Sequence, residues 1–259
     1  MPLHSERSIP AHYAAAAPLV MLHGWGMNLR VFDAMRRTLA ERHPVIALDL
    51  PGHGRSRWHD GLGPRLQYQQ LRSQIPPGAS LLGWSLGGQL ALRLARDPAL
   101  QIRRLVLIAT TPRFVRDADW AHGLPLARLR EFASRLERDS RGTIADFLEL
   151  QVRGSAGAAA SRAALQQALA SHGEAVPAAL AAGLRLLEQQ DLRALAPKLR
   201  QPALVIGGGH DRVTPPQASE ALARLLPGAQ LLLLERAGHA PFLSHPAEVA
   251  AATLAFLRA

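Results

Sequence analysis

Three residues able to do chemistry together stand in a meaningful order along the 259-residue chain: Ser85, Asp211 and His239. A serine hydroxyl is a poor nucleophile at neutral pH. It needs a base to take its proton, an acid to hold that base in one tautomer, and donors for the oxyanion that forms on attack. Ser85 lies in Leu81-Leu82-Gly83-Trp84-Ser85-Leu86-Gly87-Gly88, an apolar strand-like run that breaks at a serine set between glycines and passes into a helix-forming segment. Such a stretch reads as a nucleophile elbow, where the glycines let strand and helix approach while the serine projects, and the order serine, acid, histidine suits it.

Asp211 follows an apolar run at 203–207 and His239 follows the next one at 230–234, so both are expected at the same sheet edge as Ser85. The rival acid Asp49 precedes the serine within a Pro/Gly turn, which suits loop bracing better. No acid follows the run 105–109, where Thr110 and Thr111 stand. His23 and His53 are expected to brace loops, and His210 to point away from the site. The oxyanion donors are expected from the backbone N–H groups of Leu86 and Trp25, the latter in the loop His23-Gly24-Trp25-Gly26. The Trp25 indole is also large enough to wall an acyl pocket. With no H-E-x-x-H run, no paired carboxylates and no cysteine, neither a catalytic metal nor a cofactor is expected.

These loops need a frame. Apolar runs at 18–22, 45–48, 80–84, 105–109, 203–207 and 230–234 read as short buried strands, and most are separated by segments of helical periodicity. The alternation predicts an α/β fold with a mostly parallel sheet, helices on both faces, and the reactive loops at the carboxyl ends of the strands. Residues 1–17 contribute one edge strand at most. Between 113 and 199 the strand signal disappears, and helices are expected at 126–137, 143–152, 161–171 and 178–190. This block reads as an all-helical cap inserted into a core of residues 1–112 and 200–259.

The formal charge of +10 raises the question of nucleic acid, and its distribution argues against it. Thirteen basic residues face six acidic ones in 1–112, thirteen face ten in 113–200, and four face four in 201–259. All but Lys198 are arginines, and no basic run carries interleaved aromatics, so the excess reads as compositional bias. No apolar run approaches the ~18 residues of a membrane span. The nearest candidate for a leader, 14–22, abuts the Trp25 loop, so no signal peptide is expected. The absence of cysteine suits a cytoplasmic enzyme.

His23-Gly24-Trp25-Gly26, Asp49-Leu50-Pro51-Gly52-His53-Gly54-Arg55-Ser56, the Gly-Trp-Ser-Leu-Gly-Gly elbow and Ala237-Gly238-His239-Ala240-Pro241-Phe242 together resemble the α/β-hydrolase superfamily. Within it, Trp25, Trp84, the segment Phe147-Leu148-Glu149-Leu150-Gln151 and the ending from Gly238 to Pro246 resemble the methyl ester esterases of biotin synthesis that act on a pimeloyl chain held by acyl-carrier protein. The resemblance implies a serine esterase, acting as a monomer, with Ser85, Asp211 and His239 as its triad. It implies oxyanion donors from Trp25 and Leu86, and an acyl channel lined by Phe147, Leu148, Glu149, Leu150 and Gln151. It further implies a carrier-protein partner bound through cap arginines. Gly142 and Asp146 stand where that family would place arginines, so Arg138, Arg141, Arg153 and Arg162 are the candidates here. A general carboxylesterase, a C–C bond hydrolase of the same fold, and a hydrolase-fold ligand receptor stay open beside this reading.

Overall fold

The computed structural model describes residues 2–10, 16–59 and 63–258. Seven strands form one sheet: β1 (Ser5–Ser8), β2 (Leu19–Leu22), β3 (Val45–Leu48), β4 (Ser80–Trp84), β5 (Leu105–Ile108), β6 (Ala203–Gly208) and β7 (Gln230–Leu234). Their spatial order is β1-β3-β2-β4-β5-β6-β7, with β1 antiparallel on β3 and every other pairing parallel. Strands covered on both faces have no polar side to show, which is why β2, β3 and β5 are continuous apolar runs with every residue buried. Edge strand β7 is largely unburied on its first residues, and Leu231 is 41% exposed. The candidate leader 14–22 ends as β2, its residues 14 and 15 lying outside the described part of the chain.

Register decides where the chemistry goes. Leu22 pairs with Leu48 and Gly83, Trp84 with Ile108, Ile108 with Ile206, and Gly208 with Leu234. The carboxyl ends of six strands are therefore level, and the loops that follow them gather along one edge. From β2 the chain goes first to β3 on one side and then to β4 on the other. Between β2 and β4 the winding reverses, and the crevice that such a reversal opens lies between the loop holding Trp25 and the turn holding Ser85.

The helices of the sheet layers are α1 (Asp33–Ala40), α2 (Pro64–Arg72), α3 (Leu86–Ala95), and, after the last two strands begin, α8 (Pro216–Leu225), the short α9 (Pro241–Ser244) and α10 (Pro246–Arg258). Between β5 and β6 come α4 (Leu126–Arg138), α5 (Ser140–Val152), α6 (Ala158–His172) and α7 (Pro177–Gln189). Capping explains a boundary that periodicity placed late. Asp139 accepts from the Gly142 N–H at 2.9 Å and starts α5 at Ser140 rather than at 143. The alanine-rich patch near 156–164 forms the first half of α6, since alanine favours helix.

Candidate active site

Ser85 stands between β4 and α3 with φ 55° and ψ −118°, a backbone conformation that residues with side chains rarely adopt. The strain is held by its surroundings. A Cβ at Gly83 would overlap the Gly88 Cα, and one at Gly87 would overlap the Leu22 carbonyl, so only glycine allows strand, helix and neighbouring loop to meet here. The Ser85 N–H donates to the Ile108 carbonyl at 2.9 Å. At the start of α3 the Gly88 and Gln89 N–H groups turn back to the Ser85 carbonyl at 3.0 and 3.3 Å, whereas the Leu86 N–H has no acceptor within the helix, which suits it to a developing anion.

Asp211 and His239 arrive on the loops after β6 and β7 and meet deep in the protein, their side chains each 1% exposed. His239 Nδ1 lies 2.8 Å from Asp211 Oδ2. Since an ionised carboxylate only accepts, Nδ1 carries the proton and Nε2 is left with its lone pair. Asp211 is held in turn: its Oδ1 accepts from Val213 N–H at 2.8 Å and Thr214 N–H at 2.9 Å. Thr214 Oγ1 lies 2.7 Å from Asp211 Oδ2 and 3.1 Å from the Ala109 carbonyl. Ala109, just past β5, has φ 45° and so leaves the strand direction at this point.

His239 is gripped through its backbone on both sides. Its carbonyl accepts the Trp84 indole N–H at 2.7 Å, and its own N–H donates to the Gln151 carbonyl on α5 at 2.8 Å. The elbow and the helical block between β5 and β6 thus both fix the imidazole loop.

Ser85 opens onto an apolar cavity of about 300 Å3. Its walls come from Trp25 after β2, Phe114 and Leu124 after β5, Leu129 and Phe132 on α4, Phe147 and Leu150 on α5, Leu184 and Leu187 on α7, and Val213 beside the acid. Trp25, Phe132 and Phe147 pack edge-to-face with ring centroids 5.4 to 5.6 Å apart. The Trp25 indole N–H donates to the Leu180 carbonyl at 2.9 Å, which fixes the ring's angle.

Of the channel residues expected from 147–151, Phe147 and Leu150 reach this cavity and the other three do not. A helix turns 100° per residue, so one face offers positions three or four apart. Leu148 is packed in the core at 3% exposure. Glu149 pairs with Arg162 at 3.0 Å. Gln151 is buried and meets the site through its carbonyl alone. The Leu86 side chain likewise lines a separate cavity of about 150 Å3 with Tyr68 and Leu186, not the one at Ser85. His239 is buried against the Trp84 ring and does not line the cavity wall. Among the candidate carrier contacts, Arg162 is engaged with Glu149, and Arg138 Nε donates to the Ser134 carbonyl at 3.2 Å in its own helix. Arg141 and Arg153 are exposed. Asp146 pairs with Arg135 at 2.5 Å.

Thr214, Arg128, Arg212, Phe132 and the Gln151 carbonyl escaped the sequence reading. Thr214 had a local signal, a hydroxyl three residues after the acid in a turn. The others are brought in by packing.

The Asp49 loop is a brace. Asp49, fully buried, accepts from Leu29 N–H at 2.8 Å and Arg55 N–H at 3.0 Å, and His172 of α6 donates to it at 2.8 Å. His23 accepts the Leu50 N–H at 2.9 Å, and burial holds its pKa below the usual range. His4, Asp49 and His172 are the described residues that bring three ligand-type atoms within 4.8 Å. The Asp49 carboxylate there is already committed to N–H donors. His210, exposed, contacts the Gly154 carbonyl at 2.6 Å.

A strained serine at a β-to-α turn, together with a buried carboxylate–imidazole pair on the loops after later strands of a mostly parallel sheet, defines the hydrolases of the α/β class. The family described as alpha/beta hydrolase fold matches residues 17–246, and the chain belongs to it. Two relatives are each called pimeloyl-[acyl-carrier protein] methyl ester esterase. The one from Stenotrophomonas maltophilia is 44% identical over 93% of this chain and 93% of its own length. The one from Nitrosomonas europaea is 42% identical over 88% of this chain and 90% of its own. Among solved structures, an esterase from Exiguobacterium antarcticum superposes with a TM-score of 0.85 at 20% identity, covering 99% of this chain and 96% of its own. A thermophilic esterase from Thermogutta terrifontis does so at 0.79 and 27% identity, covering 99% and 93%. No helix among the described residues is long and apolar enough to cross a membrane.

Proposed function

We propose that this protein is a serine carboxylesterase that removes the methyl group from a pimeloyl methyl ester carried on acyl-carrier protein. The observation that carries the esterase reading is the His239–Asp211 pair at 2.8 Å, tied through the Trp84 indole to the turn of a strained Ser85 that opens onto an apolar cavity. The substrate follows from the relatives, which share 44% and 42% of their residues over nearly their whole length.

In this mechanism His239 Nε2 takes the Ser85 proton as Oγ attacks the ester carbonyl, and Asp211 stabilises the imidazolium without being protonated. The N–H groups of Leu86 and Trp25 receive the oxyanion. The imidazolium protonates the leaving methanol. Water, deprotonated by His239, then attacks the acyl-serine and releases the carboxylic acid and the free serine. The acyl chain lies along Trp25, Phe132, Phe147 and Leu150, and residues 113–199 act as a cap over it. Carrier contacts through Arg138, Arg141, Arg153 and Arg162, a monomeric state and a cytoplasmic setting complete the proposal.

The test is release of methanol from a methyl pimeloyl-carrier protein, with Ser85→Ala as control and complementation of a biotin auxotroph beside it. The serine variant should lose roughly 10³-fold or more in rate. Ready turnover of short p-nitrophenyl esters with none of the carrier-bound ester would leave a general carboxylesterase instead. Gly142 and Asp146, standing where the resemblance would place cap arginines, favour that second reading.

A further inference from the structure

The cavity at Ser85 is walled by apolar side chains with few exceptions among the described residues. One is Ser85 itself. Another is Trp25, whose only polar atom is already committed to Leu180. The remaining two are Arg128, from α4, and Arg212, beside the acid on the loop between β6 and α8. In a pocket of this kind the few polar groups orient the ligand and set its specificity, while the apolar wall supplies burial.

Both arginines are exposed while most of the wall is buried, so they stand where the cavity meets solvent. Arg212 takes part in no hydrogen bond or ion pair found among the described residues. Its neighbour Asp211 makes no ion pair with it and directs its carboxylate oxygens to Val213, Thr214 and His239 instead. Arg128 has one partner, Glu131 at 3.1 Å, with the two side chains 71% and 58% exposed. A pair so exposed is weak and yields readily to a better acceptor. Two guanidinium groups therefore belong to the lining of an otherwise apolar chamber that has Ser85 in its wall.

We infer that Arg128 and Arg212 form a recognition site for an anionic oxygen group at the far end of the acyl chain, so that free methyl half-esters of dicarboxylic acids are substrates in their own right. This rests on the esterase reading above. The arginines line the same cavity of about 300 Å3 as Ser85, so the group they meet is separated from the ester by a short chain only. In a carrier-bound substrate the thioester and amide carbonyls would occupy the same place as neutral acceptors, whereas the phosphate of the carrier arm would lie well beyond it. A guanidinium gives a carboxylate two parallel charge-assisted hydrogen bonds, and a methyl ester at the same place offers a neutral acceptor alone.

The experiment compares kcat/KM for monomethyl pimelate, dimethyl pimelate and methyl pimeloyl-carrier protein in the wild type, Arg128→Gln, Arg212→Gln and the double variant. Circular dichroism verifies that each variant is folded. The wild type should prefer the anionic half-ester to the neutral diester. That selectivity ratio should fall about tenfold in each single variant and further in the double, through KM rather than kcat. It should also shrink as salt is raised from ~20 mM to ~0.5 M. A double variant whose ratio stays within twofold of the wild type overturns the inference, as does a loss confined to the carrier-bound ester. Titration of pimelate into Ser85→Ala by calorimetry keeps the two readings apart. Binding that weakens about tenfold when Arg212→Gln is added supports the anion site even if no ester is turned over, and equal binding with and without Arg212 overturns it while leaving ester hydrolysis standing.

Discussion

The indole N–H of Trp84 donates to the backbone carbonyl of His239 at 2.7 Å, so the residue immediately before the serine holds the loop that carries the imidazole. These residues are 155 positions apart in sequence. Trp84→Phe keeps most of the ring packing and deletes the donor, leaving a buried carbonyl unsatisfied. The variant should lose about 1–3 kcal/mol of stability in denaturant unfolding. Its kcat should fall by roughly tenfold to a hundredfold with KM little changed, because a displaced imidazole affects the chemical step rather than binding. A drop in stability with kcat intact would show the bond to be structural only.

Thr214 positions the acid. Its N–H and hydroxyl both reach the Asp211 carboxylate, at 2.9 and 2.7 Å. Thr214→Val preserves shape and removes the hydroxyl, and is expected to cost about 1–2 kcal/mol and to slow turnover several-fold. Thr214→Ser should restore most of the rate. If serine rescues no better than valine, the methyl group and not the hydroxyl is what matters.

Gly183 on α7 makes room for Trp25: a Cβ there would stand 2.6 Å from the indole Cδ1. In Gly183→Ala the indole must move away from its bond to Leu180, and overpacking should cost about 1–3 kcal/mol. Since the same ring walls the cavity, preference among acyl esters should shift in chain length, read from kcat/KM across a series of p-nitrophenyl esters. An unchanged profile together with unchanged tryptophan fluorescence would place the tolerance elsewhere.

Acid should unfold the protein partly through its buried imidazoles. Burial pushes His53 down to about 3 from its ordinary 6.5, with His23 adding to the shift, while His53 Nδ1 donates to the Pro51 carbonyl at 3.0 Å. An unfolded chain protonates this ring as pH falls through about 6.5, whereas the folded one keeps it neutral until about 3. Within that window the unfolded state binds the extra proton, so stability is present above 6.5 and is lost as pH drops, at up to roughly 1.4 kcal/mol per unit from this group. His53→Asn, which keeps a donor near Pro51 and cannot titrate, should flatten the fall of Tm between pH 6.5 and 4. Parallel curves for variant and wild type would assign the acid sensitivity to other groups.

Much of this protein was legible before any coordinates. The elbow, the alternation of buried strands and helices, the helical stretch between two strands and the order of Ser85, Asp211 and His239 are local properties. Apolar runs of four or five residues mark buried strands, and a serine between glycines marks a turn that tolerates no neighbouring Cβ. Helix ends were less exact because capping by single residues such as Asp139 moves them by a few positions.

What only the tertiary structure decided is which side chains face the cavity and what holds the reactive ones still. The sequence offers 147–151 as a continuous lining, but a helix shows one stripe to each neighbour, and Phe147 and Leu150 alone of the five line the cavity with Ser85. Arg128 and Arg212 carry no sequence mark that separates them from the other arginines of a strongly arginine-biased chain. The grips of Trp84 and Gln151 on His239 depend on backbone atoms that every residue possesses. Identity can announce a nucleophile, since its chemistry is its own. Position in a packed interior is a property of all the elements at once, and the local pattern does not contain it.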